Sequence, residues 1–394
     1  MFRLCAVCLA LGLLTGSPAW ADIENHAEIE EMKKAHAAWQ QAEARWTGEI
    51  VQAMQARAKA LAQRGDSRSL LMAAYVTRAA ERDRARVGQK PDEAQARQLY
   101  LQAARPDAGQ AADALALAMA GDWCRAKSQA MPCRREEAAQ PPECDAQALF
   151  KRLTQQEPDN GAAWLLLAGA SSEGSNERQQ ALQRAADAPQ MRFYELDAGR
   201  QLHEVFQSVN WPPLPPDWAR LAPPGGDAPT EEDARRFHAA LPHLYATGAY
   251  AAVAFVDLAP FHRMCGATKT NAKTDAKADE AARAPLRRDQ CRAIAARVAA
   301  EPDNSMLRRL LALKMLIKLT EGEPQQARWR EQLRQMTWLQ QGNMSDLSLL
   351  DDPAAFDLTV PEEQLMRYRL RLVGLPETPP ADWVPEGRLA RDGE

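Results

Sequence analysis

"ECDAQALFKRLTQQEPDNGAAWLLLAG", residues 143–169, reads as two apolar helical patterns broken by Pro158, Asp159 and Asn160. In the first pattern Ala146, Leu149, Phe150 and Leu153 recur at three- and four-residue spacing, which puts one apolar face on a helix over 145–157. Pro158 cannot continue that helix, because it has no N–H and its ring crowds the preceding turn. Asp159 or Asn160 then offers a side-chain oxygen to cap a second helix. Trp164, Leu165, Leu167 and Ala168 open that helix's apolar face. The three residues are therefore expected to form a tight corner between antiparallel helices. The same Glu-Pro-Asp-Asn returns at 301–304, inside "CRAIAARVAAEPDNSMLRRLLALKML", residues 291–316.

Ala146, Phe150 and Pro158, followed by Trp164, Leu167 and Ala168, resemble the junction between tetratricopeptide repeats. In that family small and aromatic residues and then a proline end one helix pair, and Trp, Leu and a small residue open the next. The match covers residues 145–187, with Leu153 in place of the usual small residue and Ser171 in place of the usual Tyr. The second copy keeps Pro302, Leu311 and Ala312 but has Arg308 where Trp164 stood. The resemblance implies an all-α chain of antiparallel helix hairpins stacked as a tetratricopeptide-like array.

Working outward, the stripe Ile29, Met32, His36, Trp39, Glu43, Trp46 and Ile50 predicts one long N-terminal helix within 22–65, closed by Gly65. Shorter helices are expected over 68–86, 91–104 and 109–126. Cys124, Cys144 and Pro158 find counterparts in Cys265, Cys291 and Pro302, at offsets of 141, 147 and 144 residues. This divides the chain into two similar halves, 66–209 and 230–374. Between them residues 210–229 carry seven prolines and read as an extended linker. Thr230 and Asp233 are placed to cap the helix that follows. Residues 266–288 are poor in apolar side chains and read as a mobile loop, and 375–394 as an irregular tail.

The first residues, "MFRLCAVCLALGLLTGSPAWAD", combine Arg3, an uncharged apolar run over 4–14 and the small residues Ala19 and Ala21. This predicts a signal peptide, residues 1–21, with cleavage before Asp22 and a periplasmic or secreted location. The run is too short for a membrane span, which takes about 20 residues. With 49 basic and 53 acidic residues the chain is mildly acidic and well mixed, which argues against nucleic acid as a partner. After cleavage Cys124, Cys133, Cys144, Cys265 and Cys291 remain, an odd number. Antiparallel packing of an apolar helix ending at Cys265 with one opening at Cys291 predicts a Cys265–Cys291 disulfide. The same logic joins Cys124 to Cys144, with Cys133 in the intervening loop as an alternative partner.

Chemistry-bearing motifs are sparse. The six histidines, at 26, 36, 203, 238, 243 and 262, form no His-Glu-x-x-His, and no Cys-x-x-Cys occurs. A zinc site at His262, Cys265, Cys291 and His243 is a weaker reading than a disulfide. "GASSEGSN", residues 169–176, reads as a turn with Ser175 or Asn176 as cap. Trp39, Trp46, Trp164, Trp329 and Trp338 fall on helical stripes as candidate core, and Trp211, Trp218 and Trp383 lie beside prolines as candidates for exposure. No catalytic residue, cofactor site or metal site is assigned. The expectation is a non-enzymatic exported helical-repeat protein that binds a protein partner in the cell envelope, as a scaffold or an immunity or inhibitor protein. The alternative is a helical envelope enzyme acting on cell-wall glycan.

Overall fold

The computed structural model describes residues 26–105, 112–128, 144–172, 174–215, 230–253, 261, 265, 288–341, 349 and 351–385. Among them the chain is all-helical, with no strand. The expected signal peptide, Cys133, Trp218, His262 and residues 266–287 lie outside the described residues. Helix α1 spans His26–Ala62, α2 Ser67–Arg86, α3 Ala94–Ala103, α4 Ala114–Ser128, α5 Ala146–Gln156, α6 Gly161–Ala170 and α7 Asn176–Asp187. Helix α8 spans Glu195–Gln207, α9 Glu231–Val253, α10 Arg288–Ala300, α11 Met306–Leu319, α12 Gln325–Gln341 and α13 Glu362–Leu372, with a 3-10 turn at Pro353–Phe356 before α13.

Side-chain caps set most helix starts. Asp66 accepts from Ser69 N, Asp145 from Gln147 N and Ala148 N, Asn160 from Ala162 N, Ser175 from Arg178 N and Ser305 from Arg308 N. Each satisfies an N–H that the first helical turn leaves open. Thr230 and Asp233 bond each other's backbone N–H at the start of α9. Two starts come later than periodicity predicts. Asp113 caps α4 through Leu115 N and Ala116 N, and Asp92 holds Ala94 N at the start of α3. Helix α10 opens at Arg288, one residue inside the loop expected over 266–288. At the end of α1, Gly65 takes φ 77°, a left-handed turn that costs glycine least.

One hydrophobic core runs from Trp46 in α1 to Leu370 in α13. Helix α1 buries Ala42, Trp46, Ile50, Met54 and Leu61. Glu43, the charged member of its stripe, is matched by Arg86 of α2 at 3.0 Å. Consecutive helices pack as neighbours along α1–α2–α3, α4–α5–α6–α7 and α10–α11–α12. Other contacts depart from a linear stack, in which a unit meets only its neighbours. Helix α2 is also touched by α4, α8 and α9, and its Leu70–Thr77 stretch is buried without a break. Helix α7 lies against α10, where Gln290 bonds Gln183 and Arg297 donates to Ala186 O. The segments expected as two halves therefore share one interior.

The tryptophans divide differently from their expected stripes. Trp46 is buried, but Trp164, Trp329 and Trp338 pack against the core only partly covered. Trp211 packs on Tyr245 with ring centroids 4.7 Å apart instead of standing exposed, since the chain leaving α8 turns back over α9. Trp383 meets Trp338 edge-on at 5.2 Å, and Arg334 donates to Pro380 O, so residues 375–385 lie along α12 although they form no helix.

Helix α8 approaches the chain beside the 3-10 turn through Gly199. A Cβ there would sit 2.6 Å from Leu358 O and 3.3 Å from Leu358 Cβ. Alanine at a helix interior ordinarily gains about 1 kcal/mol over glycine. Here a backbone carbonyl must move, and overpacking of this kind costs about 1–3 kcal/mol. Gly199→Ala is expected to lower the urea midpoint despite its better helix propensity. A raised midpoint would show that the 358 segment yields freely.

Candidate functional site

The two Pro-Asp-Asn corners converge on one segment. After α7 the chain runs extended through Gln190–Phe193 before α8 begins. Asn160, 3% exposed, accepts from Arg192 N at 3.0 Å and donates to Arg192 O at 2.9 Å and Tyr194 Oη at 3.2 Å. Gly161 N reaches Gln190 O, and Gln190 N reaches Asp159 O. From the other side Asn304, 1% exposed, accepts from Phe193 N at 3.0 Å and donates to Met191 O at 2.9 Å and Val298 O at 3.2 Å. An extended segment has backbone groups that no helix satisfies, and such groups are costly when buried. A primary amide carries both a donor and an acceptor. Each asparagine can therefore replace a missing strand, one per side. The second Pro-Asp-Asn grips the same short segment as the first.

Past the clamp, Tyr194 adopts φ 69°, unusual for a side-chain-bearing residue. Its hydroxyl donates to Glu157 at 2.6 Å. Burial, then the charge of Glu157, pushes its phenol well above the usual range. Glu195 follows as the first residue of α8 and forms an ion pair with Arg308 of α11, with side chains 3% and 2% exposed. Ser305 also donates to Glu195 Oε1, and the Arg308 guanidinium lies 3.9 Å from the Phe193 ring centroid. Glu362 of α13 accepts from Met306 N at 2.8 Å. Burial, opposed by that N–H and reinforced by Glu195, raises its carboxyl above the ordinary range. Beside Arg308, Arg309 bonds Glu363 at 2.7 Å. A cavity bounded by Leu115, Met119, Leu166, Phe193, Tyr194 and Glu195 holds about 10 Å³ of accessible space, room for one water. The junction is thus a polar knot that fastens α5–α6, α8, α11 and α13 together. The Glu195–Arg308 pair at its centre is buried, while Glu157 and Glu363 at its margin keep 21% and 26% side-chain exposure, and all of these carboxylates are engaged in ion pairs or hydrogen bonds.

The residues singled out by the tetratricopeptide resemblance surround this knot without entering it. Phe150, Leu167, Ala168 and Ala312 are buried, and Ala146 and Leu311 are partly covered. Pro158 and Pro302 are exposed at their corners. Trp164 Nε1 donates to Pro158 O at 2.8 Å and braces the first corner. Arg308, in the position matching Trp164, turns inward instead. Sequence reasoning does not single out Glu195 or Tyr194. It meets Arg308 only as a departure at the position matching Trp164, which gives no indication of its partner.

Both disulfides are formed. Cys124 at the end of α4 joins Cys144 just before α5 with Cα atoms 5.4 Å apart, and Cys265 joins Cys291 of α10 at 5.8 Å. With both sulfurs bonded to each other, Cys265 and Cys291 are not metal ligands. The second bridge closes a loop of sequence separation 26. Chain-entropy reasoning assigns such a loop about 3 kcal/mol. Replacing Cys265 and Cys291 together by serine is expected to lower unfolding free energy by about that amount in urea titration. An unchanged midpoint would refute the bridge's contribution.

No protein-family model, curated protein or solved structure matches the chain. Among the described residues no helix is long and apolar enough to cross a membrane.

Proposed function

We propose that the chain is an exported, non-enzymatic helical-repeat protein whose outer helix faces bind a protein partner in the cell envelope, as a scaffold or an immunity or inhibitor protein. The observation that carries this reading is the double clamp. Two runs of helix hairpins, α4–α7 and α10–α12, are locked side by side by matching corners that spend their buried polar groups internally. A rigid body of that kind offers recognition at its surface, while the cavity at its junction admits only a water. The tetratricopeptide-like corner at 145–187 supports reading the hairpins as repeat units, a family arrangement suited to extended binding faces. Two disulfides suit an oxidising compartment and so favour export.

Photo-crosslinking in the native envelope tests the reading. A crosslinking residue at exposed Gln179 of α7 or Arg330 of α12 is expected to give one discrete adduct of defined stoichiometry. Release of glycan fragments by purified protein, with no adduct at either face, would replace this reading with the envelope enzyme.

A further inference from the structure

Two histidines meet where the chain crosses from the first helical run to the second. His203 of α8 and His243 of α9 have ring centroids 5.5 Å apart, tilted by 57°. His243 is 9% exposed, and the Phe356 ring of the 3-10 turn lies 6.3 Å from it. The side-chain amide nitrogen of Gln207 approaches its two ring nitrogens at 3.0 and 3.4 Å. His203 Nδ1 is buried with no hydrogen-bond partner among the described residues. The helix is also weakened at this point. Pro242 lies inside α9 and removes one backbone donor.

We propose that the packed imidazoles of His203 and His243 make the α8–α9 joint an acid-responsive hinge. Two neutral rings pack together; two imidazolium rings at this separation, one of them almost fully covered, repel each other and lose hydration. The groups brought by the packed elements do not offset this. Helix α8 brings Glu204, which is exposed and paired with Arg68. Helix α2 brings Asp83, bonded to the Tyr245 hydroxyl, and Arg82, which donates to Gly248 O. On α9 itself, His238 bonds Pro212 O and Arg236 pairs with Asp351. The 3-10 turn is flanked by Asp352, which accepts from Tyr368, and by Asp357. Arg369 of α13 lies 5.3 Å from the Phe356 ring centroid and adds positive charge. Only Asp357 favours a charged His243, against burial and then the charge of His203. The balance holds His243 below its ordinary value of 6.5. The folded chain therefore prefers the neutral ring, while the unfolded chain takes up its proton near pH 6.5. The resulting stabilisation is complete above that pH and is lost as pH falls below it.

Hydrogen exchange followed by mass spectrometry tests the hinge independently of any partner. The full chain is compared at about pH 7.5 and about pH 5.0, on either side of the ordinary histidine range. Rates are corrected for intrinsic exchange, and EDTA is present so that no metal between the rings contributes. Protection of 195–207, 231–253 and 353–356 is expected to fall in acid by about tenfold, because the closed joint binds protons more weakly than the open one. It should recover on neutralisation, while 146–170 stays unchanged. His203→Gln, at a partly exposed position, should remove most of the acid loss and keep the protection seen at neutral pH. His243→Gln should do the same; if it does not fold, the His203 variant decides alone. Equal protection of wild type at both pH values, or an undiminished acid loss in His203→Gln, overturns the proposal.

Discussion

Arg308→Ala should lower the unfolding free energy by about 3–5 kcal/mol, the usual result of removing one partner from a buried ion pair. The loss comes from what remains behind. Glu195 would be left at 3% exposure without its cationic partner, with Ser305 as its remaining side-chain donor to Oε1 and the Glu362 carboxyl nearby. The contact of Arg308 with Phe193 would go as well. Replacing both partners, as Glu195→Leu with Arg308→Met, should cost much less, because no uncompensated charge is left inside. Urea titration at neutral pH measures both. Equal losses in the single and double variants would mean that packing, rather than charge, holds this junction.

Asn304→Ala should cost about 3 kcal/mol or more, each of three buried groups left without a partner contributing about 1–3 kcal/mol. Phe193 N, Met191 O and Val298 O all turn to this one amide. Asn304→Asp should rescue little. Its oxygen can still accept from Phe193 N, but the two carbonyls then face a carboxylate instead of a donor. At the first corner, Asp159 is exposed and contributes its backbone to Gln190. Asp159→Ala should therefore stay within about 0.5 kcal/mol of wild type. Comparable losses at Asp159 and Asn304 would show that the corner, and not the clamp, carries the stability.

The cysteine pairs show how far local pattern reaches. Each is expected where one helix ends and its antiparallel neighbour begins, because antiparallel packing brings those two ends together even across a sequence separation of 20 or 26. The Trp stripes show the limit of the same reasoning. Periodicity identifies a helix face but not how much of it a neighbour covers, so Trp164 and Trp338 are half-covered and Trp211 is packed. The linear array shows it again. Nothing in the period of 67–86 announces that α8 and α9 return to cover α2 on further sides. The unbroken buried stretch Leu70–Thr77 records that covering in the structure.

The helical character, the Pro-Asp-Asn corners, the caps at Asn160, Ser175 and Thr230 and the cysteine pairing are legible in the chain itself. Each depends on groups a few residues apart, or on two helix ends joined by one loop. Long-range packing alone settled that the two corners serve one segment, that Arg308 belongs to Glu195 and that His203 meets His243. Asn304 finds Phe193 across 111 residues, and Arg308 finds Glu195 across 113. At such separations no helical period links the partners. Their meeting depends on how whole helices pack, which is set by the summed burial of many apolar side chains rather than by either residue.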